Sequence, residues 1–152
     1  MSGKRGVVLL VDDNADDVEL ALLAFEKAGL TAQIVVARDG LEALDYLQGT
    51  GKYAGRDVRE LPSVVLLDLK MPKLDGIGLL KRIRGDARTQ YLPVVVLTSS
   101  TEEKDLVESY KHWVNSYVRK PVNFKQFEEV SRQLGVYWSA LNLVAPPGGT
   151  HS

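Results

Sequence analysis

The chain has 152 residues, with 19 Lys plus Arg against 20 Asp plus Glu and a formal net charge of −1, a length that suits one domain with a real core. A 45% hydrophobic and 26% charged composition excludes a disordered chain, and the balanced charge argues against binding nucleic acid through bulk electrostatics. There is no cysteine, hence no disulfide, thiolate metal site or cysteine nucleophile; the apolar run after the basic start is too short for a signal peptide or membrane span, so a soluble, cytoplasmic protein is expected.

The first apolar run, residues 7–11, does not alternate with polar residues and suits a strand buried on both faces. Val18, Ala21, Leu22 and Phe25 follow at the spacing of one helix face, with Gly29 as a stop. A second run, 34–37, leads to Asp39 and Glu42 at capping-box spacing and to a stripe of Gly40, Ala43, Leu44 and Leu47. Residues 48–63 are long, polar and glycine-containing, and read as a surface loop. The third run, 64–67, precedes the stripe Gly76, Leu79, Leu80 and Ile83, with Gly85 as a stop. The fourth, 94–97, precedes Ser100 and Glu103 at cap spacing and then Leu106, Val107 and Tyr110. Finally, Tyr117-Val118 precedes Asn123 and Gln126 at cap spacing and a stripe of Phe127, Val130, Leu134, Tyr137 and Leu141. The tail, 142–152, carries Pro146-Pro147-Gly148-Gly149 and reads as mobile. Strand and helix alternate five times, which predicts an α/β fold with a doubly wound parallel sheet. Ligands in such folds bind at the carboxyl ends of the strands.

Those strand ends carry the polar residues. Asp12-Asp13 follow the first strand, Asp68 ends the third, Thr98-Ser99-Ser100 follow the fourth and Lys120 follows the fifth. A parallel sheet gathers them on one edge. Three carboxylates packed together repel, and a divalent cation removes that penalty; an all-oxygen site favours Mg²⁺. Lys120 and Thr98 can serve a phosphate or carboxylate oxygen. With cysteine absent, the natural nucleophile is a carboxylate, and the set suits phosphoryl transfer.

Four segments in register, Val11-Asp12-Asp13-Asn14, Leu67-Asp68-Leu69-Lys70-Met71-Pro72-Lys73-Leu74-Asp75-Gly76, Val96-Leu97-Thr98-Ser99 and Tyr117-Val118-Arg119-Lys120-Pro121, resemble the receiver domain of two-component response regulators. The resemblance covers residues 5–141 and leaves 142–152 as a flexible tail. It implies a flavodoxin-like (βα)5 fold with strand order 2-1-3-4-5. Asp68 is then the phosphoryl acceptor, supplied by a sensor histidine kinase, and Mg²⁺ sits on Asp13, Asp68 and the backbone carbonyl of Lys70. Asp12 acts mostly through metal-bound water, Lys120 pairs with the phosphoryl group, and the Lys120-Pro121 peptide is cis. Thr98 is the switch hydroxyl and Tyr117 the switch aromatic. Such a protein is a signalling phosphoacceptor rather than an enzyme with an external substrate. Ser100, two residues after Thr98, offers no carboxylate or amide to orient water, so a long-lived phosphoryl group is expected; Lys70 stands at the other family position that tunes this lifetime.

The stretch His112-Trp113-Val114-Asn115-Ser116-Tyr117, the long 48–63 loop and an extended last helix are similar to small stand-alone regulators paired with bacterial phytochromes. With no room for an output domain after residue 141, the message is expected to pass by association or phosphotransfer. Phe124, Trp138 and Leu141 widen the last apolar stripe and point to a homodimer through the fourth helix, fifth strand and fifth helix, with Leu143 and Val144 as additional candidates.

Other readings are weaker. Asp12-Asp13 with Asp16-Asp17 as a helix N-terminus explains carboxylates at one strand end and not the other three. The basic cluster Lys70, Lys73, Lys81, Arg82 and Arg84 reads as a solvated face rather than a nucleic-acid surface. Trp113 and Trp138 are core candidates, and His112 has no evident partner. A phosphohydrolase resembling the haloacid dehalogenases would need Asp-x-Asp after the first strand, where this chain has Asp12-Asp13-Asn14. A flavin carrier would need a hydroxyl- and glycine-rich phosphate loop there. The remaining alternative is a receiver-like module that binds partners independently of phosphorylation.

Overall fold

The structure, a computed structural model, describes residues 6–27, 32–69, 73–97, 114–120, 125, 126 and 129, and the backbone of Thr98. The apolar runs form β1 (Val7–Val11), β2 (Gln33–Ala37), β3 (Val64–Asp68), β4 (Val94–Thr98) and β5 (Ser116–Arg119). All pair in parallel, in the order β2-β1-β3-β4-β5. Leu10 stands beside Val36 on one side and Leu66 on the other, and Val95 stands beside Leu66 and Ser116. Between the strands run α1 (Ala15–Lys27), α2 (Gly40–Gln48) and α3 (Gly76–Gly85).

Alternate strand residues feed opposite faces, as the period of two requires. Val8, Leu10, Val64, Leu66, Val95, Leu97 and Val118 pack with Val18, Ala21 and Phe25 of α1. Leu9, Val11, Val65, Leu67 and Val94 pack with Ala43, Leu44 and Leu47 of α2 and Leu79, Leu80 and Ile83 of α3. Both faces of the sheet are therefore covered, which is why the runs show no alternation. Truncating one of these fully buried leucines to Ala would cost about 2–5 kcal/mol. Leu22 departs from expectation: it shares the spacing of the α1 stripe but is exposed, whereas Val18, Ala21 and Phe25 are buried.

Helix ends follow local chemistry. The side chain of Asp39 accepts from the backbone N–H of Glu42 at 2.8 Å, as its cap spacing predicts. Glu42 then reaches one residue further back than a capping box does, to the N–H of Arg38 at 2.9 Å. Gly49 closes α2 in the left-handed conformation, φ 67°, the role in which glycine avoids a Cβ penalty. Gly85 does not have that role: it is the last residue of α3, and the extended Asp86 ends the helix. Gly29 and the expected fourth and fifth helices, with the caps at Ser100 and Asn123, Trp113 and Trp138, and the tail, lie outside the described residues.

The 48–63 stretch is a surface loop, as expected, and it is pinned by local contacts. Gln48 completes α2, and Gly51–Tyr53 form a 3₁₀ turn. Arg56 stacks on the Tyr46 ring at 3.9 Å and donates to the carbonyls of Tyr46, Asp57 and Glu60. Arg88 donates from beyond α3 to the carbonyls of Val58 and Leu47. The basic cluster is also split. Arg84 turns inward to the carbonyls of Gln90 and Leu92 and to Asn115 Oδ1, and Lys73 pairs with Asp39 at 3.5 Å; Lys81 and Arg82 stay exposed. No described helix is long and apolar enough to cross a membrane.

Candidate functional site

The chain leaves β1 at Asp12, whose backbone N–H still donates to Ala37 of β2 at 3.0 Å. Asp12 is almost fully buried, and its Oδ1 accepts from the N–H of Asn14 at 3.0 Å. Asn14 in turn takes the capping position: its side chain accepts from the N–H of Asp17 at 2.9 Å, and its carbonyl accepts from the N–H of Val18. Asn14 therefore supplies the α1 cap that the sequence also allowed Asp12 or Asp13 to provide, and both aspartates are left for the site. Asp13 is exposed and Asp12 faces inward.

Asp68 ends β3, beside Leu97 in register, and is buried. One carboxylate oxygen from each of Asp12, Asp13 and Asp68 can be chosen so that all three lie within 4.8 Å of one another. The chain then turns back over this edge. Gly76 donates to the carbonyl of Leu69 at 3.1 Å, and a Cβ there would meet Leu69 Cα at 2.6 Å and Asp68 O at 2.7 Å. Only glycine allows that approach. Asp75 caps α3 by accepting from Gly78 N–H at 2.8 Å. Lys70 and its carbonyl lie outside the described residues.

Lys120 enters from just beyond β5. Its Nζ lies 3.1 Å from Asp12 Oδ2, 3.2 Å from Asp68 Oδ2 and 2.9 Å from Asp17 Oδ2. Burial opposes the Lys120 charge, but the hydrogen bond to Asp17 and the charges of Asp68 and Asp12 outweigh it and hold the ammonium above its ordinary pKa. Three carboxylates, those of Asp12, Asp17 and Asp68, thus surround one cation. Asp17 is the member that sequence reasoning missed. Its position in the first turn of α1 had a sufficient explanation in the helix dipole; the available signal was its spacing, one helical turn beyond Asp13, which returns a carboxylate toward the strand edge.

Thr98 stands at the end of β4, beside Arg119 in register; its hydroxyl lies outside the described residues. Tyr117 stands beside Val96 and is 38% exposed. Ser99, Ser100, Pro121 and the peptide into Pro121, and His112, also lie outside the described residues.

Chemically, converging carboxylates with unbalanced negative charge make a hard, all-oxygen donor set. It fits a small divalent cation such as Mg²⁺ or Mn²⁺ and not a soft metal. Asp68 is at once a member of that set and in contact with a cationic donor, so charge arriving on its oxygens would be neutralised from two sides.

Residues 8–132 match the family model of the response regulator receiver domain. A probable methanogenesis regulatory protein, FilR2, of Methanothrix harundinacea is 42% identical over 139 residues, which span 90% of this chain and 85% of that one. The solved structure of the bacteriophytochrome response regulator AtBRR is similar with a TM-score of 0.84 at 52% identity, covering 91% of this chain and 99% of that one. The response regulator Rcp1 of Synechocystis sp. is 34% identical over 132 residues, 87% of this chain and 88% of that one. Its Mn²⁺-bound structure is similar with a TM-score of 0.68, covering 94% of this chain and 99% of that one.

Proposed function

The chain belongs to the response regulator receiver family, and on that premise we propose that it accepts a phosphoryl group on Asp68 from the phosphohistidine of a sensor histidine kinase. The observation that carries this reading is the convergence of Asp12, Asp13 and Asp68 within 4.8 Å, with Lys120 at 3.2 Å from Asp68. An Asp68 oxygen attacks phosphorus, the P–N bond to the imidazole breaks, and the imidazole keeps the electron pair and takes a proton. Asp13 and Asp68, with the Lys70 carbonyl and with Asp12 acting mostly through water, would hold Mg²⁺, which would supply charge neutralisation there. Lys120 receives the new phosphoryl oxygens as a point charge.

The same reading extends to the signal. The added charge draws the Thr98 hydroxyl toward the phosphoryl group, and Tyr117 turns into the space released, which alters the surface around β5. Similarity to AtBRR and Rcp1 supports a bacteriophytochrome as the kinase partner, in the cytoplasm. The receiver unit is taken as residues 5–141, with 142–152 as tail, and the responding surface as a homodimer through the fourth helix, β5 and the fifth helix. The protein remains a phosphoacceptor whose only chemistry is on itself.

The test is intact mass after incubation with acetyl phosphate and Mg²⁺, or with an autophosphorylated bacteriophytochrome kinase. A gain of one phosphoryl group in the wild type, absent in Asp68→Asn and absent with EDTA, is expected. No gain from either donor would replace this reading with a phosphorylation-independent binding module. Size-exclusion chromatography with light scattering tests the dimer, and a Tyr117→Ala variant with an undiminished phosphorylation-dependent change would remove Tyr117 from the switch.

A further inference from the structure

An ammonium has three N–H donors and no acceptor. Lys120 has three carboxylate partners, Asp12, Asp17 and Asp68. Asp12 and Asp68 belong to the converging cluster with Asp13, whereas Asp17 does not. Asp17 stands on the first turn of α1, fixed by the Asn14 cap, and its side chain is 29% exposed against 2% for Asp12 and 7% for Asp68.

Resting on the phosphoacceptor reading, we propose that Asp17 is a positioning residue: the resting counter-ion of Lys120, from which a phosphoryl group on Asp68 must recruit the ammonium. A divalent cation on the cluster competes with Lys120 for the oxygens of Asp12 and Asp68 and repels it. Asp17 takes no part in that competition, so it is the carboxylate that keeps Lys120 over the site when the metal binds. The direction of its effect on an incoming anion follows from charge. Asp17 places a negative charge one ammonium away from Asp68 and holds the cation that the anion needs. Its partial exposure keeps that opposition small, which suits a latch that phosphorylation can open.

Beryllofluoride, a mimic of the acyl-bound phosphoryl group, is titrated calorimetrically into the full chain at saturating Mg²⁺, for the wild type, Asp17→Asn and Asp16→Asn. Asp16→Asn removes the same charge from the same helical turn, where Asp16 is exposed and makes no ion pair among the described residues. Mn²⁺ affinity is measured in parallel by water-proton relaxation. Asp17→Asn is expected to bind beryllofluoride about two- to fivefold tighter, the span of a partly exposed ion pair, with Mn²⁺ binding unchanged or slightly weaker. A merely structural role would weaken both ligands together. Equal or weaker beryllofluoride binding by Asp17→Asn, or equal tightening by Asp16→Asn, overturns the role of Asp17 alone. A wild type that binds Mn²⁺ but no beryllofluoride overturns the phosphoacceptor reading, and this role with it.

Discussion

The backbone N–H of Gly40 donates to the carbonyl of Leu74 at 3.1 Å, so the first turn of α2 rests on the segment that carries the chain from Asp68 to α3. A Cβ at Gly40 would meet Leu74 Cβ at 2.8 Å and the Leu74 carbonyl carbon at 2.9 Å. Backbone cannot yield as a flexible side chain can. Gly40→Ala should therefore cost about 2–3 kcal/mol by overpacking, read by urea denaturation. It should also lower Mn²⁺ affinity, because the displaced segment is the one that follows Asp68.

Lys120 is the only cation shown among the carboxylates of the described site, and its side chain is 11% exposed. Lys120→Ala leaves buried Asp12 and Asp68 facing each other without compensation. In EDTA this should cost about 3 kcal/mol. Millimolar Mg²⁺ should recover much of that loss, since the dication neutralises the same oxygens. Thermal melts of both proteins with and without Mg²⁺ check it: a metal-induced rise in Tm no larger in the variant than in the wild type would contradict the charge balance described.

Arg56 is expected to matter for stability and not for phosphorylation. Its guanidinium stacks on Tyr46 and joins three carbonyls near the end of α2, at the edge of the sheet opposite Asp68. Arg56→Ala should lose about 2 kcal/mol, and Arg56→Lys should restore little of it, because an ammonium lacks the planar fork. Acetyl phosphate labelling at 20 °C should be unchanged in both.

Glu42 provides a pH signature of the α2 N-terminus. Burial works against its charge, but Lys52 at 2.7 Å and the N–H of Arg38 prevail, and the carboxyl is held below its ordinary 4.5. A depressed folded pKa contributes stability that is present above the unfolded value and is lost as pH falls through the folded one. The Glu42 carbon resonance should thus titrate with a midpoint below 4.5, and Lys52→Ala should move that midpoint upward.

The sheet was legible because its central strands β1, β3 and β4 are buried on both faces: the run 7–11 coincides with β1, and the others extend by one or two residues at the ends. Those added residues, among them Asp68, Thr98 and Arg119, are polar, and a hydrophobicity pattern ends where polarity begins even though the backbone pairing continues. The meeting of Asp12, Asp13, Asp68 and Lys120 was legible as well, since parallel strands bring their carboxyl ends to one edge. Asp17 was not, because its contact with Lys120 spans 103 residues and its own helix offered a local reason for an acid. Arg56 and Arg88 were missed for a related reason: a loop pinned by guanidinium–carbonyl bonds has the polar composition of a free one.

The strand order has a mechanical consequence. Asp12 and Asp68 follow β1 and β3, which are paired on both sides, whereas Lys120 follows β5, which is paired on one side only. With strands about 4.8 Å apart, the ammonium reaches inward past β4 to stand 3.2 Å from Asp68. A long arm hinged on an edge strand turns small sideways displacements of the sheet margin into changes of contact at its centre. Pressure applied to that margin, by any surface that docks there, would thus be felt as a change in how firmly the central acid is gripped, with no need for the interior strands to move.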